Sequence, residues 1–521
     1  MPDQAPDVLQ SSYEEVPYDS EPILLSHPDV LATAASLRGM TPAPLSHCRV
    51  LELGCAAGGN LLPLAQAYPE AKICGIDFTP GQIAIGQKQA ATLGLTNLEL
   101  KAMSILDVTE EFGQFDYILV HGVFSWVPDD VRDKILNICK HNLAPQGVAY
   151  VSYNTYPGWA RGQVVRQMLR YFTRHENSPA ERIASARHLL SFLPGAVAEQ
   201  GAPYAEGLRQ WCKRIERVPD GELLHDHLEV INQPYYLHQF AAMARASGLQ
   251  LVGEAGRQPH TLHLSAEARQ KLAALPDGEL DFDQYLDFLE NRTFRRSILC
   301  HAERKLERPG PAKLTAMSAH SVMQPRSQAP DLRPDAEEHF QGENQSFSTE
   351  DVLTKALLVV LFDALPKSLS VAELQPAIER RLQMEAGGLG AEELCAALYE
   401  CYRVNLITLQ REPPHFVTAP SERPTVSPLA RLQARHRHPV ATLRHRAVTL
   451  SDFDRLVAPL CDGTRDRSTI ARALTGLVLE GVFDLNEHGE KVTDPARIEI
   501  LLEAPLEESL RRLGKMTLFL S

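Results

Sequence analysis

A run of β-branched and leucine residues, Arg49–Leu53, breaks directly into Gly54-Cys55-Ala56-Ala57-Gly58-Gly59 and then into a helix-like stretch, Asn60–Tyr68. No other segment constrains the fold as strongly. A strand that ends in a glycine-rich turn and opens a helix is the first half of a βαβ unit, and the glycines let the backbone turn tightly and approach a bulky ligand closely. The next strand, Lys72–Ile76, runs into Asp77. A carboxylate at about twenty residues past such a turn can accept both hydroxyls of a ribose. Pro80 follows where a helix N-terminus favours proline.

The alternation continues. Strands are predicted at Leu98–Lys101, Phe115–Val120 and Val148–Tyr153, with helices at Pro80–Leu93 and Asp129–Asn142. Strands joined by single crossover helices imply an α/β chain with a Rossmann-like, doubly wound parallel sheet, its ligands at the strands' C-terminal ends. Arg161–Arg217 reads as helical. Tyr236–Ser247 then reads as a helix, Gly248 as its C-cap and Leu249–Glu254 as a strand. If that pair is the sixth unit of the sheet, Arg161–Asn232 is a helical insertion over its C-terminal edge. Residues 306–348, rich in Pro, Ser and Gln, read as a linker carrying short strands at most. Residues 349–521 read as a mainly α, winged-helix-like region broken near Pro413–Pro428. The expected division is therefore 1–160, 161–305 (with 236–265 available to complete the core sheet), 306–348 and 349–521.

A chain of 521 residues exceeds what one core supports. Its net charge of −14 argues against a chain-wide grip on nucleic acid or anionic membrane. The N-terminus lacks a secretory pattern, and the most apolar run, Ala356–Leu365, is too short to span a bilayer and contains Asp363. The nine cysteines form no CxxC pair and no zinc spacing, so they read as reduced core thiols, with no metal site expected. A cytoplasmic location without membrane insertion is the expectation.

The glycine turn has the spacing GxxxGG, not the dinucleotide GxGxxG, and no lysine to hold phosphates. A ligand-free sheet and an NAD-binding one remain the competing readings. Leu51-Glu-Leu-Gly-Cys-Ala-Ala-Gly-Gly-Asn60 resembles the first motif of class I S-adenosylmethionine-dependent methyltransferases. That resemblance implies S-adenosyl-L-methionine as cofactor. It places Glu52 at the cofactor's amino group, Gly54, Gly58 and Asn60 along its methionine and ribose portions, and Asp77 with Phe78 at the adenosine. Ser104 and Ile105 fall at the adenine position, where Ser104 replaces the usual acidic residue; Asp107 is the fallback. His121 would pass beside the methyl-bearing sulfur. Tyr13 and Tyr18 could close over the cofactor as a lid, or pack as part of a loop.

Longer phrases narrow the resemblance. Tyr13–Tyr18, His121–Pro128, Tyr153–Trp159, Leu224–Tyr236, Phe294–His301 and Asp462–Arg467 look like bacterial methyltransferases with a methyltransferase regulatory domain. The best-understood of these methylate lysines on outer-membrane proteins. The resemblance implies a protein substrate, an outer-membrane protein before export among the candidates. It leaves a homodimer open, and nucleic acid is disfavoured.

Methyl transfer from a sulfonium is a direct displacement: nucleophile, carbon and sulfur must be aligned and water excluded. A lysine must also lose its proton, which an apolar aromatic pocket favours. Tyr153, Asn154 and Tyr156 leave the fifth strand where the methyl group is expected, and Trp126 comes from the neighbouring strand end. These four are the expected catalytic set; the competing reading is that the rings pack the helical insertion onto the sheet. His225 and His227 read as a buried hydrogen-bond network rather than a metal site. The acid-free stretch between Arg423 and Ser451, with Arg431, Arg435, Arg437, Arg444, Arg446, His436, His438 and His445, reads as a solvated basic face, the competing reading being a docking surface for acidic protein, lipopolysaccharide or nucleic acid. The leading reading is methyl transfer to protein lysines. The alternatives are a methyltransferase of a small metabolite or glycan, and a non-catalytic cofactor-sensing interaction protein.

Overall fold

Seven strands form one sheet: β1 (Arg49–Leu53), β2 (Lys72–Asp77), β3 (Leu98–Ala102), β4 (Phe115–Val120), β5 (Leu143–Asn154), β6 (Leu249–Glu254) and β7 (Phe294–His301), in the order β3-β2-β1-β4-β5-β7-β6. The computed structural model describes residues 20–196, 203–256, 264–276, 278–343, 345–436 and 439–521. The first five strands run parallel, as single crossovers require. β7 runs antiparallel to both β5 and β6. The chain order therefore reverses direction beside β1, opening the crevice at the strand ends where such sheets bind ligands.

Alternate residues of each strand feed two cores. Val50, Tyr117, Leu119, Tyr150 and Ile298 pack with α1 (Pro28–Leu37), α2 (Leu61–Ala67) and Ile83 of α3 (Pro80–Leu93). Leu51, Leu53, Ile118, Val120, Val151 and Tyr153 pack with Ile135, Leu136 and Cys139 of α4 (Asp129–His141). Each fully buried Leu or Ile contributes roughly 1.5–3 kcal/mol, so a sheet covered on both sides tolerates no shift of register. The α4 helix carries Asp129 and Asp130 in its first turn and Lys140 and His141 in its last, matching the helix dipole at both ends. All nine cysteines are buried free thiols.

The insertion consists of α5 (Trp159–Phe172), α6 (Pro179–Ala196) and α7 (Pro203–Glu216), followed by a π-helical turn at Leu223–Leu228. Val165, Leu169, Leu190, Cys212, Ile215 and Leu224 give it a core of its own. His225 Nδ1 lies 3.5 Å from Glu229 Oε1, and the Arg166 guanidinium donates to the Glu229 carbonyl. The chain then returns through α8 (Leu237–Ala246) to the sheet, crosses it as β6, and comes back through α9 (Glu279–Glu290) as β7. The sixth unit expected from sequence is present. The seventh strand lies in a stretch assigned only to the regulatory region, and it lies between β5 and β6.

The Pro/Ser/Gln-rich stretch is a layer rather than a spacer. Ser318–His320 (β8) is the central strand between Leu369–Ser370 (β9) and Thr408–Gln410 (β10). Leu314, Met317, Met323 and Phe340 are buried with α10 (Val352–Asp363), α11 (Val371–Leu382) and α12 (Ala391–Arg403). Composition concealed this because the apolar residues are few and widely spaced, with no period to reveal them. A separate core forms around Val426, Leu474, Leu502, Leu510 and Phe519, from α13 (Pro428–Ala434), α14 (Asp452–Val457), α15 (Arg467–Leu479) and α16 (Pro495–Lys515).

This last region docks on the first. Leu429 and Ala441 pack with Leu62 and Ala90, and Leu429 N–H donates to Gln66 Oε1 at 2.7 Å. Upstream, Asp29 Oδ1 accepts from the amides of Arg411 and Glu412 at 3.1 and 2.8 Å. Among the described residues, no helix is long and apolar enough to cross a membrane.

Candidate active site

The loop after β1 is held by backbone bonds before any ligand arrives. Gly54 and Cys55 N–H both donate to the Ile76 carbonyl, at 2.8 and 3.0 Å, and Gly58 N–H donates to Cys55 O at 2.8 Å. Gly54 and Gly58 have φ of +76° and +73°, values that a side chain disfavours. A β-carbon at Gly54 would also lie 2.5 Å from Val123 Cγ2. Both geometry and space therefore demand glycine there.

Asp77 stitches the first two loops together. Its Oδ2 accepts from Ala56 N–H and its Oδ1 from Thr79 N–H, each at 2.9 Å. Each oxygen keeps a second lone pair, the number a ribose diol would use. The neighbouring Phe78 is exposed at the same edge. Ser104 caps the following turn by accepting from Leu106 N–H at 3.2 Å. Ile105 is half-buried beside the core that contains Val108, and Asp107 is exposed.

Glu52 is the unusual residue. Its side chain is 3% exposed. Asn60 Nδ2 donates to Oε1 at 2.8 Å, while Oε2 has no partner among the described residues. Burial pushes its carboxyl up to about 7, with the nearby Asp77 charge adding to the rise and the Asn60 hydrogen bond opposing it. A buried carboxylate oxygen without a donor is costly unless something cationic completes it. An amino acid ammonium would do so. Together with the glycine turn and the free lone pairs of Asp77, the residues fit an adenosyl-amino-acid ligand.

At the other side of the crevice, His121 follows β4. Its Nδ1 lies 2.8 Å from the Tyr150 hydroxyl, and its ring stacks on Tyr150 and meets Phe294 edge-on. Burial and the Arg296 charge lower its pKa to about 4, so the imidazole is neutral at physiological pH. Gly122 N–H donates to Ser152 Oγ at 2.8 Å.

The four expected acceptor residues part company. Tyr153 is 1% exposed, stacked on Phe240 at 4.2 Å, with its hydroxyl 3.1 Å from Ser297 Oγ. It belongs to the core under α4 and α8, on the sheet face opposite Tyr150. Trp126 meets Trp159 edge-on at 6.2 Å, and Trp159 adjoins Trp211 and His227. Tyr156 packs on Tyr236 at 5.2 Å. Asn154, at the end of β5, takes Ser125 Oγ as acceptor for its N–H at 2.9 Å, and its Nδ2 donates to Asn232 Oδ1 at 3.0 Å. Asn232 Nδ2 is buried without a partner among the described residues. Tyr13 and Tyr18 lie outside the described residues.

Sequence reasoning did not single out Tyr150, Ser152, Asn232 and Phe294, which the structure sets against His121, Gly122 and Asn154. The period of two in β5 points Tyr150, Ser152 and Asn154 to one face, which was a usable signal. Asn232 and Phe294 come from distant segments and had none.

Comparison with known proteins completes the assignment. Residues 44–189 match a methyltransferase domain, 219–301 a predicted methyltransferase regulatory domain, and 422–518 the "PKMT, C-terminal winged helix domain". An uncharacterized protein of Rickettsia prowazekii is 32% identical over 503 residues, 94% of this chain and 90% of that one. A second, also uncharacterized, is 38% identical over 241 residues, 46% of this chain and 96% of that one. The structure of PKMT2 from Rickettsia typhi superposes with a TM-score of 0.85 at 28% identity, covering 97% of this chain and 100% of that one. PKMT2 in complex with AdoHcy gives 0.84 at 29% identity, with the same coverage.

Fold, loop and likeness together define an S-adenosylmethionine-dependent methyltransferase of class I, with S-adenosyl-L-methionine as its cofactor. The chain belongs to the family that joins this domain to a methyltransferase regulatory domain and a PKMT-type C-terminal winged helix.

Proposed function

We propose that this methyltransferase acts on lysine side-chain amines of a protein. The observation that carries the reading is the extent of the likeness to PKMT2. It spans the regulatory and winged-helix regions as well as the cofactor domain. An enzyme acting on a small metabolite needs no such additions for its chemistry.

Bound in the crevice, the cofactor supplies an electrophilic methyl group on a positively charged sulfur. The chain's own residues do the rest. Glu52 Oε2 receives the ammonium of the methionine portion, Asp77 the ribose hydroxyls, and Phe78 the face of the adenine. Gly54, Gly58 and Asn60 shape the path between them. Neutral His121, held by Tyr150, brings no second positive charge toward the sulfur. A lysine entering there leaves water for rings and amides, and desolvation favours its free base, the form that attacks.

Asn154 and Asn232 form the polar lip of the acceptor site, and the unused Asn232 Nδ2 offers a donor to a carbonyl of the incoming polypeptide. Trp126 and Tyr156 line the lip from the insertion side. Tyr153 supports β5 from the opposite face and does not touch the acceptor. An outer-membrane protein before export fits as a substrate because its chain is accessible as an extended segment. Methylation in the cytoplasm, by a monomer or a homodimer, follows from that reading.

The test is mass spectrometry of unfolded outer-membrane proteins and unrelated lysine-rich proteins after incubation with the enzyme and isotopically labelled cofactor. Methyl-lysine in the protein fraction is the expected result. Label confined to small molecules would sink the reading.

A further inference from the structure

The cofactor acid Glu52 is held by Asn60, and Asn60 is held by a residue nearly four hundred positions away. His445 Nε2 lies 2.8 Å from Asn60 Oδ1, with both side chains buried. His445 sits at the tip of the hairpin formed by Val440–Ala441 (β11) and Ala447–Val448 (β12), in the C-terminal region.

Two features set it apart from an ordinary packing residue. Its φ is +55°, in the left-handed region where glycine is the usual choice. His488 takes the same φ in another hairpin but is exposed, whereas His445 is buried with its ring nitrogen on Asn60. Secondly, the hydrogen-bond directions are fixed. Asn60 Oδ1 accepts from Ile23 N–H at 2.9 Å, and Asn60 Nδ2 donates to Ser26 Oγ at 3.0 Å and to Glu52 Oε1 at 2.8 Å. With Oδ1 the acceptor, His445 Nε2 must carry the proton and donate it. Burial and the neighbouring His27 ring, 4.9 Å away and edge-on, keep the imidazole neutral.

We propose that His445 is a positioning residue for the cofactor: it orients the Asn60 amide, which orients Glu52 so that Oε2 faces the ammonium of the methionine portion. The C-terminal region thereby completes the methionine end of the cofactor site without touching the cofactor. The adenosine end, held by Asp77 and Phe78, is independent of it. By reciprocity, the cofactor tightens the docking of the β11–β12 hairpin as much as the hairpin tightens the cofactor. The proposal rests on the assignment of Glu52 to the ammonium.

The test uses the full chain and two ligands, S-adenosylhomocysteine and 5′-methylthioadenosine, which lacks the amino acid portion. His445→Ala is expected to weaken S-adenosylhomocysteine ~10-fold by calorimetry, the scale of one buried hydrogen bond, and to leave methylthioadenosine unchanged. His445→Gln, which keeps a donor at the same reach, is expected to restore most of the loss. KM for S-adenosylmethionine rises in step while kcat is held. Unchanged S-adenosylhomocysteine binding, or an equal loss of both ligands, overturns the proposal. Glu52→Gln separates the two layers: if it binds S-adenosylhomocysteine like the wild type, the Glu52 assignment has failed and the relay with it. Should His445→Ala not fold, amide exchange in the unaltered protein decides. Saturating S-adenosylhomocysteine must slow exchange across Val440–Val448 where methylthioadenosine does not, and equal rates with the two ligands refute the coupling.

Discussion

The two sides of the crevice are built in opposite ways. On the proposed cofactor side, residues 50–80 supply nearly every group, their backbone donors are paired within the loop, and one carboxylate oxygen of Glu52 has no partner among the described residues. On the proposed acceptor side, Ser125, Asn154, Asn232 and Phe294 come from four separate segments, and most of the rings are occupied with one another. The first arrangement suits a ligand that never changes. The second draws on two domains: Ser125 and Asn154 come from the methyltransferase domain, Asn232 and Phe294 from the regulatory domain.

Substitutions can break this contrast or sharpen it. The largest effect is expected from Asn154→Ala. If Asn154 aligns the acceptor, kcat falls ~100-fold, in the range that loss of near-attack alignment produces, while affinity for S-adenosylhomocysteine stays within twofold (about 0.4 kcal/mol). A parallel loss of cofactor binding would erase the division between the two sides.

Glu52→Gln should do the reverse. Removing one charge-assisted hydrogen bond worth about 1.5–3 kcal/mol is expected to weaken S-adenosylhomocysteine ~30-fold by titration calorimetry, leaving circular dichroism unchanged.

A smaller effect follows from pH. The Glu52 carboxyl is raised to about 7 in the free protein, so it is mostly protonated at pH 6 and mostly ionised at pH 8. Only the ionised form pairs with an ammonium. Affinity for S-adenosylhomocysteine should therefore fall ~10-fold from pH 8 to pH 6, with about half a proton released per ligand bound near pH 7. Methylthioadenosine should show no such slope; a slope for both would place the titrating group elsewhere.

The smallest effect separates support from chemistry on the acceptor side. Tyr153→Phe removes the bond to Ser297 and should cost about 1 kcal/mol of stability, read as a lower denaturation midpoint, with turnover little changed. A large loss of kcat would return Tyr153 to the acceptor site.

The geometry of the glycine loop, where the cofactor is proposed to bind, was legible from the sequence because it is local. Glu52, Gly54, Gly58, Asn60 and Asp77 lie in one βαβ unit, and short-range sterics dictate which residues can occupy such a turn. The sixth strand was legible for the same reason, Gly248 closing its helix at φ +74°. The surroundings of the proposed acceptor half were less so. Tyr153 and Asn154 are neighbours in sequence, but a strand sends successive side chains to opposite faces, and the aromatic phrase alone does not say which face is which.

What the residues settled by themselves was the parallel order of the first strands, the glycine turn and the acids at the ends of β1 and β2, all consequences of hydrogen bonding and steric limits within about thirty residues. Tertiary structure decided what lay beyond that range. It set Phe294–His301 between β5 and β6, and drew the apparent linker into a core. It also buried His445, which belongs to an outwardly basic stretch, against Asn60. Charge and composition describe a segment's average solvent preference. Only packing against a distant partner fixes which single side chain leaves the water, and why.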